Sequence, residues 1–505
     1  MNLHTARRPE PQSADFASGV DLLLASGGDE RIAPDPVTRR NRYGTMATPS
    51  PGEIFLSSST ASTITPRAYR AAESAWAALT AGSIGDRRGL EPWFDDIRAR
   101  LAGLFGIAGC GVILTGSGTE AELTTLTLVK SVLHGPLTNI VVAPAETGSG
   151  VLSAANGAHF INSTAFGERC AAGVRLDGWT DSDIERTSVE IRDASGAPRS
   201  AADVDEEART LANAALAAGR NVLLHCLESS KTGLAGLTPA TAAQIQASSP
   251  RRVAVVVDCC QLRCSREHVR RMLRLGFMVV ITGSKFFAGP PFSAALLAPA
   301  GLLRRVERWA PPAGLADYSS RLDWPGDLRE ELRMNWRNEA NVGLGLRWVA
   351  ALSEMERFFA TPEPLRRAAL ACFERAVRER ANRLAHVDEA IGGAALRPKG
   401  ILSFFMTHPD GAPFSAAETV AVHGQLRRPL ACGAARGAAS RRIFHLGQPV
   451  AIGGRWALRV CASAPLISEV VERMAPDEGP APAFEPWRRR IDALFEKWAA
   501  LMDET

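Results

Sequence analysis

Short apolar runs rich in β-branched residues alternate with amphipathic segments through the middle of this 505-residue chain. The runs NVLLHC, VAVVVD and FMVVITG are separated by stretches whose apolar residues recur with helical periodicity. A strand that is apolar on both faces needs cover on both faces, which is typical of a parallel sheet between two layers of helices. The sequence therefore predicts an α/β fold with a mostly parallel sheet.

Composition divides the chain into three parts. Residues 1–50 are rich in Pro, Ser, Arg and Asp, which favours an extended or partly ordered arm. Residues 51–330 hold the alternating strands and helices and are expected to form a large domain. Residues 331–505 combine long amphipathic helices with a few strands and predict a smaller α+β C-terminal domain, with a cleft between the two lobes.

Bulk composition excludes several classes of protein. The formal charge is +4 with no long basic run, so nucleic-acid binding is not expected. The nine cysteines form no CxxC pair, so neither a disulfide framework nor a metal site is predicted. No secretory signal or apolar stretch of membrane-spanning length is visible, and the sequence predicts a soluble, cytoplasmic protein.

A lysine follows one of the predicted strands, in VVITGSKFFAGPP (279–291). Lysines beside strand ends are usually solvated surface residues whose stems lie along apolar neighbours. A partly buried lysine instead has a lowered pKa and can act as an amine nucleophile that forms a Schiff base with an aldehyde. Lys285 alone leaves both interpretations open.

Two further features belong to the same predicted edge of the sheet. Asp258 ends the apolar strand VAVVVD, and ligands of open α/β sheets bind beyond the carboxyl ends of the strands. Asp258 and Lys285 therefore predict either a ligand site or a structural ion pair. The segment TGSGTEAE (115–122) is a glycine turn before a helix, where free N–H groups can bind a phosphate. It is not GxGxxG, and GxxxxGK[ST] is absent from the sequence, so no nucleotide fingerprint is present.

A phosphate cradle, a carboxylate and an amine match the phosphate, ring nitrogen and aldehyde of pyridoxal 5′-phosphate (PLP). The order GSGTEAE, then DCCQ, then TGSK followed by GP resembles the fold-type I PLP-dependent enzymes, specifically the class V aminotransferase group that includes cysteine desulfurases and kynureninases. The resemblance spans residues 55–475. It implies a fold-type I PLP-dependent transferase with a mostly parallel seven-stranded sheet, and a homodimer with active sites at the subunit interface.

The resemblance also implies roles for individual residues. Lys285 would hold the cofactor as a Schiff base and move protons at the substrate α-carbon. Asp258 would keep the pyridine nitrogen protonated, and Gln261 would hydrogen-bond the ring oxygen. The residues expected to hold the phosphate are Ser117, Gly118, Thr119, Thr282 and Ser284.

Other positions match the family less closely. Ser230 stands near an Asn that contacts the ring oxygen in many relatives. Glu146 and Thr147 fall where relatives place an aromatic or His that stacks on the ring, a departure that weakens a standard desulfurase assignment. Asn338 is expected to reach the neighbouring subunit's phosphate site.

The late strand WALRVCAS carries Arg459, which corresponds to the arginine that binds the substrate carboxylate in relatives. The segment RIFHLGQPV (442–450) is predicted to be a loop entering the cleft, from which His445 and Gln448 could touch substrate. Some cysteine desulfurases carry their persulfide cysteine in a loop comparable to that of Cys432, whose surroundings supply no obvious cation beyond Arg436 to stabilise a thiolate.

The expected activity is that of a PLP-dependent lyase or transferase acting on a small amino acid or amine, with lyase or desulfurase-like side-chain chemistry first. An aminotransferase and a C–C bond-forming enzyme of specialised metabolism remain alternatives. A PLP-sensing transcription regulator is a further alternative, although it needs a winged helix before residue 68 that a Pro-rich arm cannot supply. A purely structural protein is the last option.

Overall fold

The computed structural model describes residues 19–81, 89–307, 309–390, 399–430, 438–475 and 478–502. Within these ranges the strands form two sheets. In chain order the strands are β1 (Ile54–Leu56), β2 (Gly111–Thr115), β3 (Leu137–Val142), β4 (Ile184–Val189), β5 (Asn221–Leu227), β6 (Val253–Cys259), β7 (Met278–Thr282), β8 (Ala294–Ala298), β9 (Val387–Glu389), β10 (Ile401–Met406), β11 (Phe444–Ile452) and β12 (Arg455–Cys461).

Several helices begin at a Ser or Thr whose hydroxyl accepts a hydrogen bond from a backbone N–H three residues later, which satisfies one of the unpaired donors of the first turn. The α-helices are α1 (Val20–Leu24), α2 (Pro66–Ala81), α3 (Leu90–Phe105), α4 (Gly118–Lys130), α5 (Val151–Ala155), α6 (Ala201–Ala217), α7 (Pro239–Ser248), α8 (Arg266–Arg274), α9 (Ala300–Leu303), α10 (Gly326–Glu331), α11 (Val342–Ala360), α12 (Glu363–Ala381), α13 (Ala416–Leu426), α14 (Ala464–Glu472) and α15 (Pro480–Met502). None of the helices in the described ranges is long and apolar enough to cross a membrane.

The large sheet has seven strands in the order β2-β8-β7-β6-β5-β3-β4. All neighbours are parallel except β8, which runs antiparallel to both β2 and β7. One apolar core joins this sheet to α3, α6, α7 and α8, and a second lies on the opposite face under α4. The predicted α/β class and mostly parallel seven-stranded sheet are confirmed, because strands that are apolar on both faces are covered on both faces.

The small sheet has five strands in the order β1-β11-β12-β10-β9 and is covered by α12, α13, α14 and α15. The prediction of a loop at 442–450 is wrong over most of its length, because Phe444–Ile452 forms strand β11. Gly447 and Pro449 give the segment the composition of a loop, but a register shift between Gly447 and Val450 accommodates them in the pairing with β12.

The chain crosses between the two lobes more often than its composition indicates. Strand β1 falls in the 51–330 segment yet pairs in parallel with β11 of the small sheet. Helix α11 falls in the 331–505 segment yet buries Leu344 and Trp348 in the core of the large sheet.

The described part of the arm is attached to α11. Val20, Leu23 and Leu24 of α1 pack in one apolar cluster with residues of α2 and α11. The fully buried guanidinium of Arg347 donates to the carbonyl oxygens of Leu24, Ser26 and Gly27. Residues 20–27 are therefore held against α11.

Candidate active site

A cavity of about 280 Å³ lies at the carboxyl ends of the central strands of the large sheet. Its walls come from the start of α4, the segments after β3, β5, β6 and β7, the arm, and strands β11 and β12. Among the described residues that line it are most of those predicted from sequence: Ser117, Gly118, Thr119, Glu146, Thr147, Asp258, Gln261, Thr282, Ser284, Lys285, Gln448 and Arg459.

The start of α4 forms one end of the cavity. The hydroxyl of Ser117 accepts from the N–H of Glu120 at 3.2 Å, which leaves the N–H groups of Gly118 and Thr119 without an intrahelical partner. A Cβ on Gly118 would lie only 2.5 Å from Sγ of Cys260, so only glycine allows the backbone this close to the segment after β6. The positive end of the helix and its free donors make this an anion site.

The loop that carries Lys285 is closed by its own backbone. Gly283 N donates to Ser293 O at 2.8 Å, Gly289 N to Gly283 O at 3.0 Å, and Ala288 N to Lys285 O at 3.0 Å. A Cβ on Gly283 would lie 2.4 Å from Cβ of Ala351 in α11. Close contact with α11 therefore holds the loop in a position where Lys285 lines the cavity.

We expect Gly283→Ala to lower the free energy of unfolding by about 1–3 kcal/mol, because the added methyl group overlaps Ala351. The matched control is Gly103→Ala in α3, where a Cβ meets nothing within 4 Å and where alanine is expected to stabilise the helix by about 0.5–1 kcal/mol. Denaturant unfolding of both variants measures the difference. If Gly283→Ala and Gly103→Ala have the same free energy of unfolding, the close contact between Gly283 and Ala351 is contradicted.

Asp258 lies near the carboxyl end of β6, and Lys285 follows the neighbouring strand β7. Asp258 pairs in register with Val280 of β7, and one oxygen of its carboxylate accepts from Cys260 N at 2.8 Å. No ion pair joins Asp258 to Lys285 or to any other described residue within 4.0 Å, so the structural ion pair considered from sequence does not form. Both charged groups therefore remain available to a ligand.

Two buried groups lie near Asp258 under the sheet edge. Burial, with the negative charge of Asp258, raises the pKa of Glu122 well above its usual range. Burial lowers the pKa of His225 to about 3, and His225 Nε2 lies 2.8 Å from Asn139 Oδ1. Burial thus favours the uncharged forms of both groups, and His225 Nε2 lies 3.5 Å from Glu122 Oε2.

Glu146 is held away from a stacking role. Its carboxylate forms an ion pair with Arg192 and accepts from the hydroxyls of Ser230, at 2.5 Å, and Thr232. Ser230 therefore faces Glu146 and lies outside the cavity lining, whereas its neighbours Ser229 and Lys231 line the cavity. Thr147, the other predicted stacking position, lines the cavity, and its hydroxyl donates to Pro144 O at 3.1 Å.

His445 and Asn338 also lie outside the cavity lining. His445 stacks on Phe55, with ring centroids 4.3 Å apart, and its Nε2 lies 2.8 Å from Glu53 Oε2. The alternation of side chains along β11 turns His445 away from the cavity toward β1. Asn338 accepts from Arg321 N through its backbone carbonyl. Cys432 lies outside the described residues.

Arg459 is buried with 2% of its surface exposed. Its guanidinium donates to Gln448 O at 2.6 and 3.1 Å, to Thr60 Oγ1 at 3.1 Å and to Lys231 O at 3.1 Å. All of these acceptors are neutral, and Arg459 forms no ion pair with a described carboxylate. The guanidinium thus fixes the walls of the cavity and keeps a net positive charge beside it.

The arm contributes cavity residues that the sequence did not indicate, namely Arg31, Arg42 and Tyr43. Arg31 is oriented by Asp29 at 2.6 Å, and its Nη2 lies 3.4 Å from Oγ of Ser117. Its contact with the start of α4 joins residues 86 positions apart, so no local pattern could reveal it. The anion site of α4 therefore has a nearby cation.

Among the described residues of the cavity lining, two buried polar atoms have no hydrogen-bond partner, Gln261 Oε1 and Ser229 Oγ. The amide nitrogen of Gln261 donates to Ser59 O at 3.0 Å, so only its oxygen is unsatisfied. Unpaired buried polar atoms are unfavourable and indicate a site for a polar ligand. No group of His, Cys, Asp and Glu within the described ranges could hold a metal ion.

The two sheets and the position of the cavity define the fold of the fold-type I PLP-dependent enzymes. No family model matches the sequence, and no curated protein matches it. The likeness is to solved structures. One is the cysteine desulfurase CsdA (S-sulfonic acid) from Escherichia coli, with a TM-score of 0.52 and 14% identity over 90% of this chain and 95% of that chain.

Two plant structures are similar to a comparable degree. Catharanthus roseus tryptophan decarboxylase in complex with L-tryptophan has a TM-score of 0.53 and 12% identity, covering 89% of this chain and 83% of that chain. Oryza sativa TDC with PLP has a TM-score of 0.51 and 13% identity, covering 89% and 84%. At these identities the comparisons establish the fold and leave the reaction to the site itself.

Proposed function

We propose that this chain is a PLP-dependent enzyme that acts on the amino group of a small amino acid or amine. The observation that carries the proposal is one cavity lined by an unpaired lysine, an unpaired aspartate and an anion-binding helix start. An amine, a carboxylate and a phosphate cradle are the groups that PLP needs. The unsatisfied buried atoms of Gln261 and Ser229 fit a polar ring in the same space.

Each of these residues has a distinct task. The N–H groups of Gly118 and Thr119, the hydroxyl of Ser284 and Arg31 would hold the phosphate, whereas the hydroxyl of Thr282 already donates to Cys260 O at 2.6 Å. The carboxylate of Asp258 would hold a proton on the ring nitrogen, and Lys285 would attach the cofactor and move a proton at the substrate α-carbon. When bound, PLP supplies an electron sink for a bond broken at that carbon.

The reaction that we favour is a lyase or desulfurase-like step on the substrate side chain, with transamination as the alternative and C–C bond formation as a third option. Lys285 and Asp258 serve all of these reactions equally. We also propose that the enzyme is a homodimer with active sites at the subunit interface, in which Asn338 reaches the partner's site. Sedimentation of the purified protein tests the dimer.

The experiment that tests the function uses purified protein supplied with PLP and a panel of amino acids and amines. The absorption of the bound cofactor reports binding, and mass spectrometry of the products separates the reactions. Loss of a side-chain group supports a lyase, and transfer of the amino group to a keto acid supports an aminotransferase. Absence of PLP binding at any concentration would contradict the proposed function as a whole.

Cys432→Ala distinguishes a persulfide-forming desulfurase from the other reactions. We expect the variant to keep full activity, because the sequence around Cys432 supplies only Arg436 to stabilise a thiolate. The measurement is turnover of each active substrate, with sulfide release and a mass shift on Cys432 after incubation with cysteine. A persulfide on Cys432, lost together with sulfide release in the variant, would overturn this expectation.

A further inference from the structure

Lys231 is a second lysine in the cavity that none of the proposed roles uses. It lies in the turn after β5, and its backbone is held between two cavity residues, since its N–H donates to Glu146 O at 3.0 Å and its carbonyl accepts from Arg459 at 3.1 Å. The side chain lines the cavity together with Lys285 and Arg459. The ammonium forms no hydrogen bond or ion pair with any described residue.

The charges around Lys231 are unbalanced. Burial first, and then the positive charges of Arg459 and Lys285, lower the pKa of Lys231 to about 8. Glu146, the acidic group that opposes this shift, is already paired with Arg192. Lys231, Lys285 and Arg459 line one small cavity, and none of them forms an ion pair with Asp258 in the same lining or with any other described carboxylate, so an anion that binds among them reduces their mutual repulsion.

The cofactor and a substrate carboxylate account for only part of this positive charge. In the proposed function, the start of α4 and Arg31 bind the phosphate, and Lys285 attaches the cofactor. The α-carboxylate is assigned here to Arg459, the role that the family resemblance implies for this residue. Lys231 is left without an anionic partner, and Arg42, also in the cavity lining, forms no ion pair with a described carboxylate.

We propose that Lys231 binds a second acidic group of the substrate, so that the enzyme prefers an amino acid with a carboxylate on its side chain. The inference rests on the proposed function, because the inference takes Lys285 as the attachment site of the cofactor and Arg459 as the partner of the α-carboxylate. It narrows the substrate class from small amino acids in general to acidic ones. An ammonium suits this task, since it is a compact charge on a flexible stem that can reach acidic groups at more than one distance.

The test compares succinate with butyrate, two four-carbon acids that differ in the second carboxylate and lack the reactive amine. Isothermal titration calorimetry on the PLP-loaded protein is expected to give a Kd for succinate about tenfold lower or more than that for butyrate. In Lys231→Met this ratio is expected to fall to near one with butyrate binding unchanged, while Lys231→Arg keeps the preference. Lys130→Met, which removes a lysine outside this cavity, controls for the overall charge and leaves the ratio unchanged.

Equal affinity for succinate and butyrate in the unmodified protein would overturn the proposal without any variant. Equal weakening of both ligands in Lys231→Met would also overturn it, because Lys231 would then serve the α-carboxylate. Peptide mapping after borohydride reduction tests the proposed function separately. If no lysine carries the reduced cofactor, the proposed function fails, whereas the calorimetric ratio still reports whether Lys231 selects diacids; a cofactor on Lys231 would instead overturn this inference and leave a PLP-dependent function standing.

Discussion

Borohydride reduction of the protein loaded with PLP is expected to leave the mass of the reduced cofactor on Lys285. Lys285 lies in a loop closed by backbone hydrogen bonds, lines the cavity and is free of ion pairs with described residues. Lys285→Ala is expected to abolish the covalent attachment and to lower turnover by about 10²–10⁴-fold, since it also removes the group that moves the α-proton. Peptide mapping and steady-state kinetics measure the two effects.

Lys231 is the residue against which this prediction is tested, because it lines the same cavity as Lys285 and its pKa is lowered. Its reactivity as a free amine makes it the competing site of attachment. A cofactor mass on Lys231, or full turnover in Lys285→Ala, would show that the wrong lysine has been assigned. Lys231→Met is expected to leave the label on Lys285.

Asp258→Asn is expected to keep PLP bound but to lower turnover by about 10–100-fold, because an amide cannot form the charge-assisted bond that holds a proton on the ring nitrogen. The carboxylate lies at the end of β6 without a competing ion pair in the described structure. The bound cofactor is measured by its absorption and the loss by kcat. We expect the absorption maximum to shift as well, since the protonation of the ring changes.

Glu122→Gln is the matched control for Asp258→Asn. Burial, with the negative charge of Asp258, raises the pKa of Glu122 well above its usual range, which favours the uncharged carboxyl group that an amide resembles. We expect turnover within about threefold of the unmodified enzyme, since the amide is close in size and polarity to the uncharged form that burial favours. Full activity in Asp258→Asn, or an equal loss in both variants, would contradict the role assigned to Asp258.

The central sheet and the residues at its edge could be predicted because their signals are local. The β-branched runs report strands that are buried on both faces, and the Ser-Gly segment at 117–118 reports the start of a helix. Parallel strands bring their carboxyl ends to one edge, so Asp258 and Lys285 could be assigned to one site without knowledge of any contact between them.

The remainder of the site depends on contacts between distant parts of the chain. Glu146 is directed toward Ser230 by an ion pair with Arg192, 46 residues away. Strand β11 contains a glycine and a proline, and forms only because β1 and β12 pair with it on either side. Composition alone could not predict either arrangement.

The arm and the cavity separate the features that local sequence determines from those that depend on tertiary contacts. By itself, the sequence determined that residues 1–50 lack the periodicity of a domain, as well as the sheet, the helix starts and the lysine and aspartate at the strand ends. Only the tertiary structure decided that Arg31 lies beside Ser117 and that Lys231 lies beside Arg459 without an anionic partner. The physical reason is that strand and helix signals arise from neighbouring residues, whereas the charge balance of a cavity depends on side chains that folding brings together from the whole chain.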